Sequence, residues 1–125
     1  MALAFEERRD GSFELPLPPD ARLRAVHFID GTYLLKIGAG DDVLLYAYSG
    51  NRIDLDGERG SLRQLRELVG SRVTRLAATP DGSLHLRVER HEIRVPPADY
   101  EAWSIESGGG DILARSAPGG NLDIS

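Results

Sequence analysis

The chain has 125 residues, no cysteine, and 20 acidic against 15 basic side chains, for a formal net charge of −5. That length fits one domain, and the absence of thiols excludes disulfide frameworks, cysteine-ligated zinc and cysteine nucleophiles. Hydrophobic residues at 41% and charged residues at 28% suffice for a core, while the acidic surplus argues against nucleic acid or an anionic membrane as partner, since both need clustered positive charge.

Met1–Glu7 lacks the basic segment and apolar run of a signal peptide, and no stretch approaches the roughly 20 apolar residues of a membrane span. A cytoplasmic location is therefore expected. Of the four Asp-Gly pairs, Asp10-Gly11, Asp30-Gly31 and Asp81-Gly82 are each expected to close a hairpin through a type I′ turn, whose two central residues need positive φ. Pro16-Leu17-Pro18-Pro19-Asp20 cannot enter a sheet interior, because three of its residues lack an amide hydrogen. Residues 1–20 are thus read as an N-terminal arm with a loosely attached strand and a Pro-rich linker, and 21–125 as a single antiparallel β domain.

The incoming strand Ala25–Ile29 leads to Asp30-Gly31. Beyond it Tyr33, Leu35 and Ile37 alternate with Thr32, Leu34 and Lys36, the period of two that marks a half-buried strand. Val43–Tyr48 follows as a third strand, apolar on both sides, with Tyr46 and Tyr48 opposite Leu45 and Ala47. Such a strand is either doubly covered or part of a dimer contact. Asp41-Asp42 and Asp54-Leu55-Asp56-Gly57-Glu58 read as solvated turns, without the ligand run of a calcium loop.

Ser61 and Gln64 have the spacing of a capping box. They open a helix over 62–69 whose Leu62, Leu65, Leu68 and Val69 share the buried face, with Gly70 as the C-terminal cap. At about 12 Å it is too short to stand alone, so it must lie against a sheet. A second meander then repeats the first, with Asp81 lying 51 positions after Asp30. It comprises Leu76–Ala78, the strand Leu84–Glu89 after Asp81-Gly82, and Glu92–Val95. The fold class expected is mainly β with one short helix: two similar antiparallel β-β-β meanders forming one curved or closed sheet, or a barrel-like sandwich. Pro96 and Pro97 end this half. Tyr100–Glu106, the loop Ser107–Asp111, Ile112–Arg115, the turn Pro118–Asn121 and a last strand through Leu122 and Ile124 complete the chain.

No nucleophile elbow, phosphate-binding loop or zinc-protease helix is present, and Gly108–Gly110 precedes a strand, not the helix N-terminus that would bind phosphate. His85 and His91 are a metal-spaced pair whose side chains should not meet, and His27 sits in an apolar run. No catalytic residue, metal or cofactor is expected. Arg87 and Arg94 should share the outward face of the second meander, with Glu89 and Glu92 beside them. Together with Tyr100, Glu101 and Trp103 they form the candidate binding set, Trp103 being the one whose type favours the core.

The segments Asp81-Gly82-Ser83-Leu84-His85-Leu86-Arg87-Val88, Tyr100-Glu101-Ala102-Trp103 and Pro118-Gly119-Gly120 resemble those of a family of small actinobacterial proteins of unknown function. The resemblance implies a two-half antiparallel β protein and no known activity. It favours a non-enzymatic role, similar to that of immunity proteins or accessory binding modules. The expected function is accordingly a non-catalytic binding protein engaging another protein or itself, for example as an immunity-type inhibitor of a basic toxin. Tyr46 and Tyr48 would form the contact of a homodimer. The alternative is a small-ligand binder or small enzyme using the concave face of the sheet through Tyr100, Glu101 and Arg94.

Overall fold

Short apolar runs punctuated by turn residues become strands, and in the computed structural model, which describes residues 4–48 and 52–125, they follow in close succession. They are β1 (Glu6–Glu7), β2 (Phe13–Glu14), β3 (Arg22–Ile29), β4 (Thr32–Ala39), β5 (Asp41–Ala47), β6 (Asp54–Leu55) and β7 (Glu58–Arg59). The helix α1 (Leu62–Arg66) comes next, then β8 (Val73–Ala78), β9 (Leu84–Val88), β10 (His91–Val95), β11 (Trp103–Ser107), β12 (Ile112–Ala117) and β13 (Asn121–Ile124). All pairings are antiparallel. No helix among the described residues is long and apolar enough to cross a membrane.

The fold is mainly β, as the alternation predicts, but the two meanders do not share a sheet. One sheet has seven strands in the order β1-β2-β8-β9-β10-β6-β7, the other six in the order β13-β12-β11-β5-β4-β3, and neither closes. Of the forms expected, the structure adopts the sandwich, as two open sheets and not one curved or closed one, because the meander edges are paired elsewhere: β5 takes β11 as its outer neighbour, while β8 and β10 take β2 and β6. With those edges occupied, the meanders meet through their apolar faces. Leu35, Ile37, Val43 and Leu45 of one sheet and Leu76, Leu84, Leu86 and Ile93 of the other enter a common core, all essentially without solvent exposure.

The Asp-Gly pairs divide into two kinds. Asp30 and Gly31, at φ 51 and 80, close the two-residue turn from Ile29 to Thr32 as a type I′ turn requires. Asp56 and Gly57 do the same between Leu55 and Glu58, a hairpin where only a solvated turn was expected. Asp10-Gly11 and Asp81-Gly82 also close hairpins, but only their glycines have positive φ. Each sits in a five-residue loop in which the Asp carboxylate accepts from the backbone N–H and Oγ of the serine two residues on, Ser12 or Ser83. That side-chain acceptor mimics a backbone turn and replaces the type I′ geometry.

The capping box is present, Ser61 Oγ accepting from Gln64 N and Gln64 Oε1 from Ser61 N. The α-helix ends at Arg66, and a looser turn runs on to Gly70, so Leu65 and Leu68 are buried while Val69, expected inward, is exposed. The helix and the chain after it lie along the free edge of β3. Arg66 Nε donates to Val26 O, Gly70 N to Leu23 O, Leu23 N to Ser71 O and Val73 N to Ala21 O. Backbone groups that would otherwise invite another strand are thereby paired.

The N-terminal strand, expected to attach loosely, is tied in. β2 pairs with β8, Leu15 N donates to Leu76 O, and Phe5 and Leu15 both enter the core. Leu15→Ala is therefore expected to lower the unfolding free energy by about 2 to 4 kcal/mol, the range for a buried leucine. Urea denaturation distinguishes this from the change within about 0.5 kcal/mol that a surface arm would give.

Candidate functional site

Arg87 and Arg94 do share the outer face of the seven-stranded sheet, because residues two apart or directly opposed in register point the same way. Each is engaged there. Arg87 Nη1 meets Glu92 Oε1 at 2.6 Å. Arg94 Nη2 donates to Ser83 Oγ at 2.8 Å and lies 3.5 Å from Asp81, and its Nη1 lies 3.7 Å from Asp54. Asp54 also receives Arg52 at 3.1 Å, and Glu14 receives Arg8 at 3.3 Å. Glu89, expected on this face, instead turns to the chain beside β9, where its Oε1 accepts from Arg72 N. His85 stands opposite Arg94, and its pKa is lowered by burial and by that guanidinium. His91 Nδ1 bonds Asp56 Oδ2 at 2.7 Å, so the two histidines have different partners.

Trp103 sits at the centre of the core with no exposed surface, and its indole N–H donates to Gly82 O at 3.0 Å. Gly82 in turn rests backbone to backbone on Gly120: a Cβ at Gly82 would lie 2.4 Å from Gly120 O, and φ there is +89. The Asp-Gly-Ser turn, the Trp strand and the Pro-Gly-Gly turn, far apart in sequence, thus form one junction between the sheets. Partial burial opposes ionisation of Asp81. Hydrogen bonds from Thr79 Oγ1, Ser83 N and Ser83 Oγ, with the charge of Arg94, outweigh it and hold the carboxyl down at about 2.

The outer face of the six-stranded sheet has a different chemistry. Leu34, Tyr46 and Ser104 form one cross-strand row, and Lys36, Leu44 and Glu106 the next. All but the buried Ser104 are half-buried, in contrast to the fully buried Leu35, Leu45 and Ile105 that point inward. Tyr46 and Tyr48 stack with ring centroids 6.3 Å apart and planes within 9°, and the Tyr48 hydroxyl is 2.6 Å from Ser104 Oγ. Burial pushes the Tyr48 phenol up, against the Ser104 hydrogen bond and with the charge of Glu101. Ile29 and Ile112 extend the apolar surface at its margins, both exposed.

The five residues of the expected binding set thus occupy three places: Arg87 and Arg94 on one outer face, Trp103 in the core, and Tyr100 and Glu101 in the segment entering β11. Tyr100 is exposed, and Glu101 is close enough to act on Tyr48. Two surface depressions are lined by other residues, one by Glu67, Ser71 and His91, another by Phe28, Tyr33 and Arg59. Among the described residues no group of three or more His, Asp or Glu is placed to hold a metal ion. Sequence reasoning named Tyr46 and Tyr48 but missed Leu44 and Leu34 beside them. The available signal was Leu34, a large apolar residue on the side of β4 that alternation marks as wet.

A protein-family model described as a family of unknown function (DUF6188) matches residues 24–125. No curated protein and no solved structure matches the chain. The match begins inside β3 and leaves the β1–β2 hairpin outside it.

Two variants test the junction. Gly82→Ala is expected to cost about 2 to 4 kcal/mol, combining a positive φ with a backbone clash, while Gly57→Ala, at similar φ with open space around it, costs about 1 kcal/mol. Denaturant titration of the two reads the difference. Asp81 ionises more readily folded than at its ordinary value of 3.8, so its contribution is present above about pH 4 and is lost as the pH falls through about 2. Asp81→Asn is expected to lower stability at pH 7 by about 0.5 to 1 kcal/mol, after screening of this exposed carboxylate, and to converge with the parent near pH 2. Thermal melts across that range check it.

Proposed function

We propose that this chain, which belongs to the DUF6188 family of unknown function, is a non-catalytic protein-binding module whose binding surface is the outer face of the six-stranded sheet. The observation that carries this reading is the contrast between the two outer faces. On the seven-stranded sheet Arg87, Arg94 and Glu14 are met by opposite charges of the same chain. The six-stranded sheet presents Leu34, Leu44, Tyr46 and Tyr48 to solvent in adjoining rows. Aromatic and aliphatic side chains are what protein interfaces bury, and burial of apolar area drives association.

The finer reading, an immunity-type inhibitor of a basic protein, is supported by the net charge of −5. A small-ligand binder or enzyme on the concave side would draw on Tyr100, Glu101 and Arg94. It has less support, because the space between the sheets is filled by Trp103, Leu45 and Leu86, and Arg94 lies on the far side of its sheet. A photo-crosslinking residue placed at position 44, with a control at position 87, tests the proposal at native expression levels. A protein adduct from position 44 and none from 87 is the expected outcome. Equal labelling from both, or none from 44, removes the proposal.

A further inference from the structure

We infer that the outer face of the six-stranded sheet is covered by a second copy of this chain, related by a two-fold axis running along β5. The inference rests on the proposed use of that face for binding and names its occupant. Strand register supplies the argument. Lys36 on β4 and Glu106 on β11 both stand directly across from Leu44, on opposite sides of β5. A two-fold axis lying in the interface along β5 carries β4 of each copy over β11 of the other. Leu44 then meets the partner's Leu44, Tyr46 meets the partner's Tyr46, and Lys36 lies opposite the partner's Glu106 twice over. An axis crossing the strands through Leu44 would instead set Lys36 on the partner's Lys36, and like charges across an interface are strongly disfavoured.

Among the described residues Glu106 has no ion-pair partner in its own chain and is free for this contact. Lys36 is paired with Asp42 at 3.5 Å but keeps 42% of its side chain exposed, so a second carboxylate can share it. In the next column outward the same operation places Ala25 of β3 over the partner's Ile112 of β12, a small apolar residue against an exposed large one. Such an interface is isologous, the commonest arrangement of soluble oligomers. The sheet edges offer less. β1 and β7 are two residues each, β13 is four, and the free edge of β3 is occupied by the chain after α1.

Sedimentation equilibrium on the full chain tests the inference. The parent is expected to be a dimer and Leu44→Arg a monomer. Lys36→Glu and Glu106→Lys should each weaken association about tenfold, equivalent to roughly 1.4 kcal/mol, and the double variant should return to within about threefold of the parent if the two charges are coupled. Both charged positions are partly solvated, so these variants keep the test independent of whether Leu44→Arg folds. A monomeric parent at every concentration overturns the inference, and so does a dimer indifferent to all three substitutions. If the parent is monomeric while position 44 still crosslinks to a different protein, the second copy falls and the binding surface stands. If position 44 crosslinks to nothing, both fall.

Discussion

The arrangement of the two sheets depends on one hydrogen bond, from the buried indole N–H of Trp103 to the carbonyl of Gly82. An indole in the middle of a core must find an acceptor, because a buried donor without one costs about 1 to 3 kcal/mol. The acceptor belongs to the other sheet, in the loop between β8 and β9, so satisfying Trp103 fixes how that loop sits on the six-stranded sheet. Its approach is close enough that Gly82 touches the backbone of Gly120, where no side chain could intervene. The loop is stiffened from behind by Asp81, which receives donors from Thr79, Ser83 and Arg94. Arg94 also reaches Asp54 on β6. One tryptophan thus organises the junction, and the charges around Asp81 hold the loop that answers it.

That use of charge explains why the outer faces of the sheets differ. Exposed ion pairs contribute little to stability, typically 0.2 to 1 kcal/mol each, but they leave few unmet groups for a partner to address. Arg87 and Arg94, the residues whose type best suits recognition, are occupied in this way. On the six-stranded sheet the neighbours of Tyr46 and Leu44 are Leu34, Ser104, Lys36 and Glu106, with apolar surface at the centre and charge at the sides. An apolar centre with a polar surround is the usual anatomy of an interface, and burial there yields about 25 cal/mol for each square ångström removed from water.

The elements themselves were legible in the sequence because their signals are local. Alternation marked β4 and β9, the Asp-Gly turns and the apolar runs around them marked β3, β5, β8 and β10, Ser61 and Gln64 marked the helix start, and glycine-containing turns marked the C-terminal hairpins. Which strands become neighbours is a non-local matter. Nothing in Val43–Tyr48 or Trp103–Ser107 says that β5 pairs with β11, and it is this pairing that separates the meanders into two sheets. The two kinds of Asp-Gly turn were hidden for a local reason. In both five-residue loops a serine two residues on, Ser12 or Ser83, donates to the aspartate, which serves as an acceptor instead of a left-handed turn residue. The candidate set does not converge because Arg94 lies on the outer face of the seven-stranded sheet, while Glu101 lies in the segment entering β11 and acts on Tyr48.

The N-terminal hairpin completes the argument for where the molecule can be approached. Without it β8 would be a long, bare edge strand, the usual route to unwanted pairing. β2 covers that edge through Phe13 and Glu14, and Leu15 anchors it in the core, although residues 4–23 lie outside the family match. The edge of β3 is covered by the chain following α1, and the outermost strands β1 and β7 are too short to recruit a long partner strand. With these edges closed or short, and with the arginine-bearing face engaged by its own acids, association by sheet extension is disfavoured. The rows across β4, β5 and β11 keep Leu34, Leu44 and Tyr46 only half-buried, and covering them would remove apolar area from water.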